Sequence, residues 1–213
     1  LASKAGIQLG LIYFNEGEMD RAAEAYKAVI RSYPGSDEAK VALQDLKSVY
    51  VEQNNVNAYA DYVNSLGGNI HLEVSEQDSL TYIAAEKLFM RGDNAGAQRS
   101  LESYLQQYPM GAFHTNAHYY LGAIAFAEKQ YKTALPHYET AIAAGDPKFL
   151  EESVARAAEI LYLQKEYEAA MKRFDQLLQV AETPENKEAA KLGAMRRAEQ
   201  TGQFAEVVEA ATA

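Results

Sequence analysis

His114 and His118 stand four residues apart, a spacing that sets two imidazoles on one face of a helix and could hold a metal ion. A usable site needs at least three protein ligands, and no third is evident nearby in the sequence. His118 falls where the helix wants a bulky core residue, and His114 falls at the helix start. The pair therefore reads as one half-buried and one surface histidine, with no metal. Glu151-Glu152 and Glu185 with Glu188 have the form of acid–base couples. They lie at helix starts, where the backbone dipole favours negative charge, and a working carboxylate normally needs a cleft that shifts its pKa. Arg91-Gly92-Asp93 spells an integrin-type adhesion tripeptide, but a tight turn at this position already requires the glycine. There is no phosphate loop, dinucleotide fingerprint, nucleophile elbow, His-Glu-x-x-His or calcium loop. Cysteine is absent, which excludes thiol catalysis, disulfides and thiolate metal sites. No catalytic residue, cofactor or metal is expected, and the chain reads as a non-enzyme.

Composition narrows the partners. The formal net charge is −10, so a phosphate backbone or an anionic membrane surface is repelled. The apolar runs fall far short of the roughly 20 residues that span a bilayer. No composition break divides the 213 residues. The chain lacks a starting Met and a leader, and its last residues stop inside an apparent helix, so it reads as a mature or excised segment of a longer polypeptide.

The elements that position these residues repeat. Leu9-Gly10 recurs as Leu121-Gly122, and Gly17, Ala22 and Pro34 recur as Gly92, Ala97 and Pro109, each shifted by 75. Ala97 leads to Ala134 and Ala170 in steps of 37 and 36. The unit is therefore about 37 residues, a period at which each unit buries its apolar face against its neighbours. Small residues at Gly10, Ala85, Gly122 and Ala158 let a paired helix approach. Small residues at Ala22, Ala97, Ala134 and Ala170 receive the facing side chains. Bulky Tyr26, Leu101, Tyr138 and Phe174, four residues later, fill the space between hairpins. Short turns at Asn15-Glu16-Gly17, Arg91-Gly92-Asp93, Glu128-Lys129-Gln130 and Gln164-Lys165-Glu166 make the pairs antiparallel. Ser36, Asp146-Pro147 and Thr183-Pro184 carry helix-start signals, and Ser75 with Asp78 reads as a capping-box variant.

Leu9-Gly10-x-x-Tyr13, followed by Gly17, Ala22, Tyr26 and Pro34, resembles the tetratricopeptide repeat. The resemblance implies an all-α solenoid, a right-handed superhelix of about six helix-turn-helix units with eleven or twelve helices. Residues 1–66 form repeats one and two. The second is degenerate, with Tyr59 where a small residue is expected. Residues 67–75, with Gly67-Gly68 and then alternating polarity, form an irregular extended connection. Residues 76–213 form repeats three to six, the last truncated. Its Phe204 and Val207 would be left uncapped, which makes self-association through that end an expectation.

The resemblance also implies a concave helix-A face that receives partner peptides. Its groove positions are Ile7, Leu11 and Phe14; then Tyr82, Glu86 and Phe89; Asn116, Tyr119, Ala123 and Phe126; and Glu152, Glu159 and Tyr162. Phe14, Phe89, Phe126 and Tyr162 share one register position and would form an aromatic ladder. Aromatic anchors suit binding surfaces, while the competing reading packs these rings between hairpins. Some members of the family grip a C-terminal carboxylate with Lys, Asn and Arg on helix A. Here Ile7, Leu11, Tyr82 and Glu86 occupy those positions, so an acidic tail is a poor ligand. The expected function is a protein- or peptide-binding scaffold; the alternative is a carbohydrate-binding helical-repeat module of the outer membrane. The stretch from Tyr108 to Gly122 is similar to repeats of bacterial cell-envelope proteins, which implies a periplasmic or outer-membrane-associated address, with a cytoplasmic one as the alternative.

Overall fold

The computed structural model describes residues 1–68 and 70–201, with the side chains of 197–201 left aside. The described residues form eleven α-helices and no strand: α1 (Ala2–Asn15), α2 (Met19–Ser32), α3 (Asp37–Glu52), α4 (Val56–Ser65), α5 (Val74–Met90), α6 (Asn94–Gln107), α7 (His114–Ala127), α8 (Tyr131–Ala144), α9 (Pro147–Leu163), α10 (Tyr167–Val180) and α11 (Pro184–Thr201). They fall into two compact units, Leu1–Phe113 and the residues from His114 onward. Within each unit, helices pack on their sequence neighbours: α1 on α2 and α2 on α3 in the first, α7 on α8, α8 on α9, α9 on α10 and α10 on α11 in the second.

The repeat positions do what their sizes dictate. Ala22, Ala97, Ala134 and Ala170 are each 0% exposed, and Tyr26, Leu101, Tyr138 and Phe174 are all buried. A Cβ added at Gly10 would come 2.5 Å from the Tyr26 ring, so the glycine is what admits that ring between α1 and α2. Tyr59 is also buried, with its ring 6.0 Å from that of Tyr50. In the second repeat a large ring thus fills the place that alanine holds elsewhere, on a helix of only ten residues.

Among the described residues, each helix-A-to-helix-B turn passes through one left-handed residue: Gly17 (φ 77°), Asn54 (51°), Gly92 (81°), Lys129 (59°) and Lys165 (65°). Glycine takes this conformation without a Cβ penalty, and asparagine tolerates it. In the second unit two lysines accept the strain. Helix starts follow the sequence signals in part. The Ser36 hydroxyl accepts a hydrogen bond from the Ala39 N–H at 3.0 Å, and the Asp146 carboxylate accepts one from the Lys148 N–H at 2.9 Å.

The connection from α4 to α5 differs from expectation at its end. Helix α5 begins at Val74 with Glu73 as its cap, so Val74 and Ser75 are helical rather than extended, and Ser75 caps nothing. Asp78 turns inward instead and is 8% exposed. Its carboxylate accepts the Tyr104 hydroxyl at 2.6 Å and the Ala112 N–H at 2.9 Å, while the Tyr104 oxygen accepts the Phe113 N–H at 3.0 Å. The chain leaving α6 thus brings two backbone donors to this pair, the Ala112 N–H ending on Asp78 and the Phe113 N–H on the Tyr104 oxygen.

Candidate functional site

The four ladder positions are equivalent in backbone terms. The carbonyls of Phe14, Phe89, Phe126 and Tyr162 accept the N–H of the left-handed residue in the following turn, at 3.1, 2.9, 2.9 and 3.0 Å. Each ring therefore sits at the last turn of a helix A, and each is half-buried. Phe14 and Phe89 belong to the first unit, Phe126 and Tyr162 to the second. Phe14 packs on the rim of the core around Tyr26 and Leu46.

In the second unit, both ladder rings are covered by arginines. The Arg156 guanidinium, from α9, stands 5.0 Å from the Phe126 ring centre, and Arg196, from α11, stands 4.4 Å from that of Tyr162. Each ring is flanked by the first tyrosine of the next helix, Tyr131 at 5.7 Å and Tyr167 at 5.4 Å. Arg156 is fixed by Glu152 at 2.8 Å and Glu159 at 2.9 Å on its own helix. Among the described residues, no carboxylate pairs with Arg196. Between α9 and α11 lies a groove of about 320 Å³ whose walls include Arg156, Glu159, Tyr162, Leu163, Leu192 and Arg196. Its α11 wall is pinned at the start of that helix. Burial pushes the Glu151 carboxyl up, but hydrogen bonds from the Thr183 hydroxyl and N–H and from the Asn186 amide outweigh it and bring the pKa down to about 2. Glu151, which the sequence leaves as one of two acids at a helix start, thus ties the start of α11 to α9.

One of the expected groove residues is placed otherwise. Tyr82 is 2% exposed, stacks on Phe113 with ring centres 4.4 Å apart and planes 2° from parallel, and donates its hydroxyl to Glu86 at 2.7 Å. It is core, because the chain leaving α6 folds Phe113 over it. Tyr119 is half-buried against Phe149, with ring centres 4.7 Å apart, and burial raises the pKa of its phenol. Arg156 was not among the sequence candidates, although it lies one turn beyond Glu152 and one before Glu159. Arg196 lies in the weakly matching sixth repeat, where the register gives no cue.

The remaining chemical residues resolve into structural roles. Arg91 pairs with Glu52, as does Lys87; Gly92 supplies the left-handed turn; and Asp93 caps α6 by accepting the Gly96 N–H at 2.9 Å. Each member of the adhesion tripeptide therefore has a local task. Burial pushes the Glu52 carboxyl up, and the two cations more than reverse it, leaving it below the usual carboxylate range.

The histidine pair gains a third imidazole that the sequence does not announce. His137, from α8, places its Nδ1 2.9 Å from the Nδ1 of His118, and the His114 ring centre lies 4.6 Å from that of His118. Among the described residues, no group of three His, Cys, Asp or Glu side chains is arranged to hold a metal. The cluster has an acid-sensitive consequence. Burial, then His137, then His114 lower the His118 pKa to about 4 from an ordinary 6.5. The unfolded chain takes up this proton first, so the stability His118 confers is complete above about pH 6.5 and is lost as the pH falls toward 4. Between pH 7.5 and 5.0 the midpoint of thermal unfolding should drop about 5 °C further for the native chain than for His118→Gln. Equal drops would mean that the cluster is not coupled to folding.

Sequence profiles described as tetratricopeptide repeat match residues 5–36 and 84–148. No curated protein matches the chain significantly. Among solved structures, PilF of Pseudomonas aeruginosa is similar at a TM-score of 0.51 and 18% identity, over 98% of this chain and 88% of that one. A MamA RS-1 double mutant is similar at 0.51 and 18%, over 83% and 96%. YrrB, described as a tetratricopeptide-repeat protein with an unusual peptide-binding site, aligns at 0.46 and 16%, over 87% and 90%. At these identities the likeness is one of fold. Among the described residues, no helix is long and apolar enough to cross a membrane. Period, turn geometry, buried small-and-large pairs and the two profile matches converge, and the chain carries tetratricopeptide repeats, the repeats of a family whose members generally serve as scaffolds for protein or peptide binding.

Proposed function

We infer that this chain is a non-enzymatic scaffold that holds a peptide in the α9–α11 groove of its second unit. The observation that carries this reading is Arg196 over Tyr162 at the groove wall, a cation on an aromatic face with no carboxylate partner among the described residues. Leu163 and Leu192, about half exposed beside it, give an apolar side chain somewhere to rest. Exposed apolar and aromatic surface next to a cation without a carboxylate partner among the described residues is the composition of a recognition site. The groove accepts an extended segment with an apolar anchor, and Arg196 with Asn186 supplies hydrogen-bond donors for main-chain carbonyls. The sequence likeness of Tyr108–Gly122 to cell-envelope repeats and the acidic, cysteine-free composition favour a periplasmic or outer-membrane-associated address.

A selection of displayed random 12-residue peptides on the native chain tests the reading. Enriched peptides should bind about 10-fold more weakly to Arg196→Ala and to Tyr162→Ala, the loss typical of one anchor residue. Arg196→Ala should leave the unfolding midpoint unchanged. Selection that enriches nothing, or peptides that bind all three chains alike, would remove the groove from consideration.

A further inference from the structure

A second cavity, in the first unit, is polar at nearly every wall. It holds about 270 Å³ between the α3–α4 turn, α5 and α6. Asn54 and Asn55 come from the turn, Asn57 from the start of α4, and Arg99, Ser100 and Ser103 from α6. Among the described wall residues the only apolar one, Val56, is 4% exposed and shows the cavity little surface. The chain has 30 acidic residues against 20 basic ones, yet no described carboxylate lines this cavity. Its cation is also unusual for this molecule. Arg21, Arg31, Arg91, Arg156 and Arg173 each pair with a carboxylate, and Arg196 lies over Tyr162. Arg99 is exposed and, among the described residues, has no ion pair, hydrogen bond or ring contact. Glu102, three residues along α6, accepts from the Gln98 amide at 2.9 Å instead.

The hydrogen bonds inside the niche hold its side chains without using them up. The Ser100 oxygen accepts from the Asn54 amide at 2.5 Å, so the serine hydrogen and the Asn54 oxygen remain for a ligand. The Asn57 oxygen accepts from the Gln77 and Gln107 amides at 2.9 and 3.1 Å, which leaves its nitrogen as the unused end. Asn55 caps α4 without a side-chain bond, so its carboxamide keeps a donor and an acceptor. The same bonds brace the walls: Asn54 ties the turn to α6, and Gln107 ties α6 to α4.

We propose that this niche binds a single sugar residue that bears a carboxylate, of the uronic-acid type. Arg99 supplies the charge, and its planar fork meets a carboxylate with two parallel N–H donors. Sugar hydroxyls donate and accept at once, and carboxamides and serine hydroxyls answer in both senses. Three asparagines and two serines around one cavity give that answer on several sides. A peptide would need an apolar anchor, and the niche offers it no surface. One cation matches one negative charge; a phosphate would bring nearly two into a chain of formal charge −10. The niche lies in the first unit and the α9–α11 groove in the second, so each can be lost without the other.

The test is an NMR titration of the isotope-labelled 213-residue chain with sodium glucuronate, beside glucose, sodium acetate and the tripeptide Gly-Glu-Gly at equal ionic strength. Glucuronate should shift the amide signals of residues 54–57 and 99–103 with a Kd of about 1 mM, as suits one small polar ligand in an open niche. Glucose and acetate each lack half of the ligand and should bind at least about 10-fold more weakly. Arg99→Gln should weaken glucuronate about 10-fold, the loss of one charge-assisted pair, and leave the unfolding midpoint unchanged. Arg196→Ala should leave glucuronate binding unchanged. Absence of shifts at these residues up to about 50 mM glucuronate, or equal affinity in Arg99→Gln, overturns the proposal. Acetate that binds as tightly as glucuronate overturns it in favour of a bare anion site, and Gly-Glu-Gly that does so overturns it in favour of a protein partner.

Discussion

Asp78→Ala should lower the stability of the first unit by about 3 kcal/mol, because it strips the acceptor from the buried Tyr104 hydroxyl and from the part-buried Ala112 N–H at once. The Tyr104 hydroxyl and the Ala112 N–H both end on this carboxylate, at 2.6 and 2.9 Å, and Tyr104 is 0% exposed. Burial, and then its bond to Asp78, push the Tyr104 phenol well above its ordinary pKa, so the hydroxyl stays a donor at any working pH. The tyrosine oxygen in turn accepts from the Phe113 N–H at 3.0 Å, so the hydroxyl is used both as donor and as acceptor. Urea unfolding of Asp78→Ala and Asp78→Asn separates the roles. The asparagine keeps one acceptor oxygen and should lose about half as much. Equal stability of the alanine variant and the native chain would mean that the network is ornamental. The same variants test the placement of Tyr82, because Phe113, whose N–H bonds to the Tyr104 oxygen, is the ring that covers it.

Gly10→Ala should cost about 2–3 kcal/mol, while the formally identical Gly122→Ala should cost less than about 1. Both glycines occupy the same place in the repeat and both face a buried tyrosine from the paired helix. The distances separate them. The new methyl would lie 2.5 Å from the Tyr26 ring, but 3.2 Å from that of Tyr138. The first is an overlap that requires α1 and α2 to part or Tyr26 to leave its rotamer. The second asks for a shift of a few tenths of an ångström. Helix propensity works the other way, since alanine is favoured over glycine by about 1 kcal/mol in a helix interior. The contrast therefore isolates packing. Tyr26→Leu, which shortens the facing side chain, should rescue most of the Gly10→Ala loss, and a double-mutant cycle by thermal unfolding would read the coupling. Equal losses at the two glycines would show that the hairpins are looser than their spacing implies.

Much of the scaffold is legible because size and spacing are local facts. Ala22 with Tyr26, Ala97 with Leu101, Ala134 with Tyr138 and Ala170 with Phe174 are buried as their register requires. The turns at Gly17 and Gly92 need a residue free of a Cβ penalty, and a glycine is visible in a sequence. At Lys129 and Lys165 the same left-handed turn is held by lysines, which no composition rule would choose. There the packed helices on either side fix the conformation and the residue follows. The capping box at Ser75 and Asp78 misleads for a related reason. Spacing offers Asp78 to the first turn of α5, but the buried hydroxyl of Tyr104 and the N–H of Ala112, more than 25 residues away in sequence, outbid that short-range use. Phe204 and Val207, expected to leave an uncapped end, lie outside the described residues.

The candidate site is legible to a smaller degree. Phe126 and Tyr162 can be found by counting from one repeat to the next. Arg156 and Arg196 cannot, because a cation–π contact depends on the approach of the following helix, not on an interval along the chain. The histidine cluster divides in the same way. His114 and His118 are joined by a helical interval, and His137 reaches them only across the α7–α8 pairing.

By itself the sequence determined the repeat, the helix pairs and which residues face inward, since each depends on interactions within about 37 residues, where spacing and side-chain volume are sufficient. Tertiary structure alone decided which aromatic rings stay accessible, which acid ties α11 to α9 and where Asp78 finds its donors. Those outcomes are set by what neighbouring helices bring to a side chain, and burial, hydrogen bonding and charge pairing between helices have no period for a sequence to display.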